Sequence, residues 1–433
     1  MRNKKLALTL AVAGATMGLA LTAFASPASA KELTVWCWDE NFNLAAMKTA
    51  EKYYQEAGHD DFKLNVVNMP EEDIQTKLTA AFTAGVTDDL PDIVLMGDSW
   101  ANMFLTNYPG CYVDLTDDID YSQFAPYKVS CFTVDDRVYG VPFDSGSAGL
   151  FYRKDILEDA GINPDDLKGA TWWDVIDMAK TIHEKTGKYG FQFDPSDGVA
   201  FTWYDSMLQS AGKWFYEPDD EDETGDFVNN SVMREVSEIL KEMWNDDLVY
   251  GSDTRDSNGI GAIQKGDVAF VMNAIWYTPT LTSAKDASGL WDYANIPLLK
   301  DTKNVPYTNI GGSSWVILDA CKDKDTAIDF MKTIWAGNTD FYDDILLHQG
   351  AVATWLPATK SDTYNTPMEF FNNKPIYKDF ASWGAQVPSV SYGTNTWTVH
   401  SAIQAHLQEY FDGKYDLDGF LKAVQDTYEV SKS

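Results

Sequence analysis

The stretch Tyr139-Gly-Val-Pro-Phe-Asp144-Ser-Gly-Ser-Ala-Gly-Leu-Phe-Tyr-Arg-Lys-Asp155 decides how the chain is organised. In its first half, Gly140 and Pro142 bend and stiffen the backbone, which is typical of a crossover between two parts of a protein. In its second half, Ala148 to Tyr152 is a short apolar run of the kind that forms a buried strand. We therefore expect this stretch to carry the chain from one α/β unit into another.

On both sides of this stretch, short apolar runs alternate with amphipathic helical patterns, which predicts an α/β protein. Pro70 and the acids that follow it suit the first turn of a helix that ends at Gly85. Thr171 and Asp174 form a capping-box pattern at the start of another helix. The predicted strands are Leu33–Cys37, Lys63–Val67, Asp92–Met96, Ala148–Tyr152, Asp267–Met272 and Ser314–Leu318. The further predicted helices are Leu44–Ala57, Ser231–Trp244, Thr326–Trp335, Val399–Tyr410 and Phe420–Tyr428.

The composition is that of a soluble globular protein. The chain has 433 residues, of which 45% are hydrophobic and 23% are charged. Its formal net charge of −33 would repel phosphate backbones and anionic lipid headgroups. We therefore expect no nucleic acid and no membrane surface among its partners.

Residues 1–30 have the pattern of a secretory signal peptide, with a basic start, an apolar stretch and the small residues Ala28-Ser29-Ala30 before Lys31. No later segment has the roughly 20 apolar residues of a membrane-spanning helix. The first cysteine, Cys37, lies inside a predicted strand, so we expect an exported protein without a lipid anchor at the cleavage site. Two alternatives stay open for the cysteines: a disulfide between Cys111 and Cys131, or ordinary buried thiols.

The chain has no pattern of a known catalytic or metal site. None of the five histidines lies in an H-E-x-x-H arrangement, and neither a G-x-S-x-G motif nor a phosphate-binding loop occurs. The acidic run Asp219–Asp226 fails as a calcium loop because Ser231 occupies the position of the bidentate glutamate, which favours a solvated hairpin tip. We predict no metal, no cofactor and no catalytic residue. A glycosidase pair of carboxylates stays open, because the two acids of such a pair have no fixed spacing in the sequence by which they could be excluded.

Aromatic residues are the unusual feature. The chain has 15 tryptophans, and 14% of its residues are aromatic. Several tryptophans fall where predicted strands end, near Asp39, Asp98 and Asp144, and flat rings beside carboxylates suit the apolar faces and hydroxyl groups of sugars. Burial in the core is the alternative for each ring, and we assign four tryptophans on predicted helices to the core: Trp172, Trp173, Trp244 and Trp335.

The stretch quoted first resembles the hinge and strand segment of extracellular solute-binding proteins of the maltose-binding type (family 1). Four other segments continue the resemblance in order: Leu90–Val94, Glu158–Ile162 followed by Thr171-Trp172, Gly266–Trp276 and Gly311–Ile317. The resemblance implies a two-lobed periplasmic-binding-protein type II fold, with mixed sheets flanked by helices and a ligand cleft between the lobes. It implies residues 31–140 plus 293–335 in lobe 1 and residues 141–292 plus 336–433 in lobe 2.

The resemblance also implies which residues bind the ligand. Trp38 and Asp39 match a cleft loop after the first strand, Asp98 and Trp100 match another, and Asp144 matches a sugar-binding carboxylate after the hinge. The second lobe contributes an aromatic segment and stacking positions, and the backbone of a glycine pair lines the cleft. The remaining predicted ligand-binding residues are Phe201, Trp203, Tyr204, Trp276, Gly311, Gly312 and Trp397, with Trp355 as a neighbour of such a region.

The resemblance implies the substrate-binding component of a carbohydrate ABC importer, with a sugar or oligosaccharide ligand and membrane permease subunits as partners. We expect a monomer outside the cytoplasm, periplasmic or at the cell surface, with no chemical step. Two alternatives stay open: a binding protein for a non-sugar ligand such as a polyamine, and a secreted glycoside hydrolase. Acids and aromatic rings would also serve a polyamine.

Overall fold

The computed structural model of the chain describes residues 31–217, 220 and 222–432. The predicted signal peptide, residues 1–30, lies outside the described residues. Strands and helices alternate as the sequence predicts, and each of the predicted strands and helices has a counterpart within a few residues. Within the described part, no helix combines the length and the apolar composition that crossing a membrane requires.

A mixed sheet of five strands is the framework of what we call the first lobe. Its strand order is β2-β1-β3-β12-β6, with β1 parallel to β2 and β3, and β12 antiparallel to β3 and β6. Because β1 and β3 run in parallel, the residues that follow them meet at one edge of the sheet. The strands of this sheet and of a small hairpin beside it are β1 (Glu32–Cys37), β2 (Lys63–Asn68), β3 (Ile93–Gly97), β4 (Thr133–Val134), β5 (Arg137–Val138), β6 (Gly140–Pro142) and β12 (Ser313–Ile317).

An antiparallel sheet of three strands, in the order β10-β7-β11, is the framework of the second lobe. Every residue of its central strand is buried, because helices and the crossover segments cover both faces. The remaining strands are β7 (Ala148–Arg153), β8 (Phe191–Gln192), β9 (Val249–Tyr250), β10 (Phe270–Ala274) and β11 (Trp291–Ala294).

Fifteen α-helices cover the sheets of the described residues. The capping box of Thr171 and Asp174 is formed as predicted and starts α6. The helices are α1 (Asn43–Glu56), α2 (Glu71–Ala84), α3 (Asp98–Asn107), α4 (Pro126–Cys131), α5 (Lys154–Asp159), α6 (Trp172–Thr186), α7 (Asp205–Ser210), α8 (Ser231–Asn245), α9 (Ser257–Lys265), α10 (Thr278–Thr282), α11 (Lys324–Phe330), α12 (Thr339–Gln349), α13 (Ile376–Gly384), α14 (Thr396–Phe411) and α15 (Leu417–Ser431). Two π-helical turns, Ala200–Tyr204 and Met331–Trp335, and several short 3₁₀ turns complete the helical segments.

The chain passes between the two sheets after β6 and again between β11 and β12. Helix α12 packs against α1 of the first lobe, where the rings of Tyr53 and Phe341 lie 6.0 Å apart. The predicted boundary at residue 335 differs from this arrangement, because Phe341 and Tyr342 bury their rings beside Trp335 in the same core. Backbone contacts with the first lobe continue at least as far as Leu356, whose amide donates to Gln123 O at 2.7 Å.

The four cysteines are free thiols, so the alternative disulfide between Cys111 and Cys131 is not formed. Cys37, Cys131 and Cys321 are buried. Burial raises the pKa of Cys37 and of Cys321 to about 12, which keeps both thiols protonated and unreactive at neutral pH.

Candidate ligand-binding cleft

The glycine pair before β12 forms a floor between the two lobes. Gly311 and Gly312 both adopt left-handed backbone conformations, with φ of 69° and 91°. A Cβ atom on Gly312 would lie only 2.8 Å from Asp98 Oδ2 and 3.0 Å from Lys128 Nζ. Glycine is therefore required here both for the backbone conformation and for the close approach of these side chains.

Three of the predicted aromatic residues meet at this floor. Trp276 donates its indole N–H to the carbonyl oxygen of Ile310 at 2.8 Å. A Cβ atom on Gly311 would lie 3.5 Å from Trp276 Nε1 and 3.8 Å from Phe201 Cζ. The rings of Phe201 and Trp397 are stacked, with centroids 6.0 Å apart and an interplanar angle of 13°. The structure thus brings together residues that are almost 200 positions apart in the chain.

Each of these rings is held at the end of a regular element. Phe201 belongs to the π-helical turn Ala200–Tyr204, a local helical irregularity often found at functional sites. Trp276 lies in a short 3₁₀ turn directly after β10, and Trp397 lies in the first turn of α14. Trp397 remains 39% exposed although it is a large apolar side chain. Its exposed ring face is available to a ligand.

Trp38 and Asp39 lie where β1 ends, as predicted. Trp38 is half-buried and packs against apolar clusters that reach into both lobes. Asp39 is exposed and adopts a left-handed conformation, with φ of 61°. Its Oδ1 accepts hydrogen bonds from the backbone amides of Asn41 and Phe42 at 3.0 and 3.2 Å, which fixes the carboxylate at the start of α1. Asp39 is thereby an ordered, solvent-facing acid at the sheet edge.

Asp98 and Asp144 are buried and have partners inside the protein. Lys128 Nζ lies 2.6 and 2.7 Å from the two oxygens of Asp98 and donates a third hydrogen bond to Ser313 O at 3.0 Å. Burial raises the pKa of Asp98 to about 7, although the ammonium of Lys128 acts in the opposite direction. Asp144 Oδ1 accepts from the amide and the hydroxyl of Ser313 at 2.9 and 2.7 Å. Both carboxyl groups therefore hold the backbone beside the glycine floor.

Four further residues predicted to bind ligand have their side chains buried in the protein core instead. Position in the sequence does not determine to which side each ring turns, and all four turn inward. Trp100 donates to Glu71 and packs against Phe104; Trp203 packs against Trp172; the Tyr204 hydroxyl lies 2.8 Å from Ser237 Oγ; and Trp355 stacks on Tyr342. Each of these rings is buried against other side chains of the core.

Sequence reasoning missed two charged residues at the cleft. Glu71 begins α2 in the first lobe and accepts the indole N–H of Trp100. Burial raises its pKa, and the positive charge of Arg255 in the second lobe acts to lower it. Arg255 is half-exposed and is held by Asp253, with N–O distances of 2.8 and 3.2 Å. Neither residue lies in a motif, so only their proximity in the fold could reveal them.

In the described part of the acidic run, Glu223 is anchored to the segment before α14. Glu223 Oε1 accepts from the amide and the hydroxyl of Thr394 at 2.6 and 3.1 Å. Its Oε2 accepts from the amide and the side-chain nitrogen of Asn395 at 2.9 and 3.0 Å. These contacts fix the segment that leads into α14 and Trp397. The acidic run was predicted to be a solvated hairpin tip. At Glu223 it has a structural function instead.

Comparisons with known proteins agree with this architecture. A model of the family described as bacterial extracellular solute-binding protein matches residues 48–361. A lactose-binding protein of Rhizobium radiobacter is 39% identical over 95% of this chain and 96% of its own length. An arabinooligosaccharide-binding protein of Bacillus subtilis (strain 168) is 25% identical over 69% of this chain and 68% of its own.

A solved structure has the same fold. It is the ABC transporter associated binding protein from B. animalis subsp. lactis Bl-04 in complex with beta-1,6-galactobiose. Its TM-score is 0.72 at 21% identity, and the alignment covers 92% of this chain and 96% of that protein.

Proposed function

Because the chain belongs to the family of bacterial extracellular solute-binding proteins, we propose that it is the substrate-binding component of a carbohydrate ABC importer. It captures a neutral sugar or oligosaccharide between its two lobes and delivers it to the membrane permease. The observation that carries this proposal is the meeting of Trp276, Phe201 and Trp397 at the glycine floor. Flat aromatic faces at a floor shared by both lobes are suited to stacking on sugar rings.

The charges around the floor favour a neutral ligand over a polyamine. Asp98 is paired with Lys128, and Asp253 is paired with Arg255. Asp144 is occupied by Ser313, and burial raises the pKa of Glu71, which favours its neutral form. Asp39 then remains as the exposed carboxylate among the predicted acids. A site that binds a polycation needs several unpaired carboxylates, and Arg255 would repel it.

Carbohydrate binding also has support from the relatives, whose names refer to lactose and to arabinooligosaccharides. We propose that ligand contacts come from Trp38, Asp39, Phe201, Trp276, Trp397 and the backbone of Gly311 and Gly312, with Glu71 and Arg255 at the rim. The protein acts outside the cytoplasm as a monomer and performs no chemical step. The permease then recognises the closed, loaded form.

A thermal-shift screen tests the proposal. Galactosides, arabinooligosaccharides, maltooligosaccharides, spermidine and putrescine are added singly, because a ligand that binds only the folded state raises its melting temperature. We expect stabilisation by at least one saccharide and none by the polyamines. Stabilisation by polyamines alone would contradict the proposal. Hydrolysis of the stabilising oligosaccharide on prolonged incubation would instead support the glycoside hydrolase.

A further inference from the structure

A cavity of about 650 Å³ lies between the two lobes. One wall is formed by the first lobe, mainly by α4 and the turn before it. The other wall is formed by residues 212–217 and 389–392 of the second lobe. None of the proposed cleft residues lines this cavity. Its volume lies within the roughly 300–1,000 Å³ that small-molecule sites usually have.

The wall from the second lobe is preorganised. The rings of Trp214 and Tyr392 meet edge to face, with centroids 4.7 Å apart. The indole N–H of Trp214 donates to Thr396 Oγ1 at 2.9 Å, and the Tyr216 hydroxyl lies 3.0 Å from the same oxygen. Trp214, Tyr216 and Tyr392 are each no more than 6% exposed. Their ring positions are therefore fixed before a ligand binds. A binding surface that is already ordered loses little entropy when a ligand arrives.

The chemistry of the lining suits a neutral ligand with hydroxyl groups. Aromatic rings come from both lobes, and the rim carries the serines Ser122, Ser130, Ser389 and Ser391. The charged lining residues are one lysine, Lys213, and one glutamate, Glu217. The lining is thus electrically balanced in a chain whose net charge is −33. Rings combined with hydroxyl donors and no net charge are suited to a small saccharide rather than to an ion.

Two connections link this cavity to the cleft. Val129 and Ser130 of α4 line the cavity, while the preceding Lys128 turns inward to the Asp98 carboxylate beside Gly312. On the opposite wall, the segment from Tyr392 to Trp397 begins in the cavity and ends with the exposed cleft tryptophan. A molecule in the cavity would contact both lobes and therefore bind one relative arrangement of them more tightly than another.

We infer that this cavity is a second ligand site, which takes a monosaccharide-sized neutral sugar and is thermodynamically coupled to the cleft. Coupling of this kind is reciprocal, so occupation of either site changes the affinity of the other by the same factor. The inference goes beyond the proposed function, since a protein could bind sugar in its cleft without this second site.

The experiment isolates the second site by removing the first. In the Trp276→Ala/Trp397→Ala double variant the cleft lacks two stacking rings, and binding of D-galactose, L-arabinose and D-glucose is followed by saturation-transfer NMR. We expect at least one of these sugars to bind this variant. Adding Ser130→Trp from one wall, or Ser391→Trp from the other, should abolish that binding by filling the cavity. Ser382→Trp, on an exposed face of α13 away from the cavity, is the matched control and should leave binding unchanged.

Two results would overturn the inference. One is that none of the three sugars binds the cleft-deficient variant. The other is that both cavity-filling variants, with wild-type circular dichroism and melting, bind the sugar as well as the Ser382→Trp control. Both results are distinct from a failure of the proposed function, which is tested on the protein with its cleft intact.

Discussion

At the residue scale, Lys128 decides what Asp98 can do. A buried carboxylate without a partner is costly, and the ammonium of Lys128 at 2.6 Å offsets that cost. Asp98 therefore holds α3 and the glycine floor in place instead of reaching a ligand. The sequence could predict Asp98 at the sheet edge from the strand before it. The sequence could not predict that Lys128 is the partner of Asp98, because Lys128 lies 30 residues further on in an element without a motif.

Replacing Lys128 by Met should destabilise the fold, by up to about 3–5 kcal/mol at alkaline pH, because the buried Asp98 then has to be either an unpaired charge or protonated. The pKa of Asp98 is raised to about 7 with Lys128 present, and losing that ammonium raises it further. Asp98 is then protonated as the pH falls, so the variant's loss of stability should be smaller at about pH 5 than at about pH 8. Urea unfolding at both pH values measures the difference. The Asp98→Asn/Lys128→Met variant is the control and should lose this pH dependence; equal destabilisation of Lys128→Met at both pH values would contradict the assignment.

Replacing Trp276 by Ala should cost roughly 2–4 kcal/mol of sugar binding, because a stacking ring at the centre of the site is lost. Folding should be little affected, since the ring is only partly buried. Trp172, which is fully buried, is the matched control: Trp172→Ala should cost roughly 3–5 kcal/mol of folding stability. Calorimetric titration and thermal unfolding of both variants separate the two effects. Wild-type affinity in a folded Trp276→Ala variant would exclude Trp276 from the site.

At the element scale, local patterns predicted the strands and helices because burial periodicity and capping are encoded by neighbouring residues. The π-helical turn Ala200–Tyr204 shows where this reasoning ends. Its altered register turns Trp203 and Tyr204 into the core and leaves Phe201 half-exposed, beside Gly311. Glu223 and Thr394, which are hydrogen-bonded, lie 171 residues apart in the sequence. This contact could not be predicted from the sequence either. Contacts between distant segments decide which rings face the cleft.

Replacing Glu223 by Gln should lower the affinity for sugar, because the segment before Trp397 loses a charged acceptor of four hydrogen bonds. Loss of hydrogen bonds to a charged group costs about 1.5–3 kcal/mol of folding stability. The neighbouring exposed acid, in Asp222→Asn, is the matched control and should behave as wild type. In a Trp397→Ala background, Glu223→Gln should cause no further loss of affinity. An equal loss in both backgrounds would show that Glu223 does not act through Trp397.

At the scale of the whole molecule, two sheets joined by crossovers of the chain place the proposed site between the two lobes. Trp276 and Phe201 of the second lobe lie beside the glycine floor, so the proposed function requires the lobes to separate before a ligand enters. The division of the chain into these two lobes stays a prediction from the resemblance. The packing of α12 against α1 could not be predicted, because no local pattern in the sequence encodes a contact between such distant segments.

Saturating saccharide should reduce the radius of gyration measured by small-angle X-ray scattering, because the lobes close around it. The Trp276→Ala/Trp397→Ala variant is the control and should stay at the unliganded value under the same conditions. A wild-type scattering curve that does not change with a ligand proven by calorimetry would contradict the two-lobe mechanism.

The central claim is that the cleft takes a neutral sugar in spite of the net charge of −33. The most direct measurement is calorimetric titration of the preferred ligand at low and at physiological ionic strength, where the screening length is about 8 Å. A neutral sugar has no net Coulomb attraction to the protein, so its affinity should stay nearly constant between the two. A cation attracted by this protein would bind markedly more weakly at the higher salt. Salt-independent binding of a saccharide is the predicted result; a steep loss of affinity with salt, together with competition by spermidine and not by oligosaccharides, would contradict the claim.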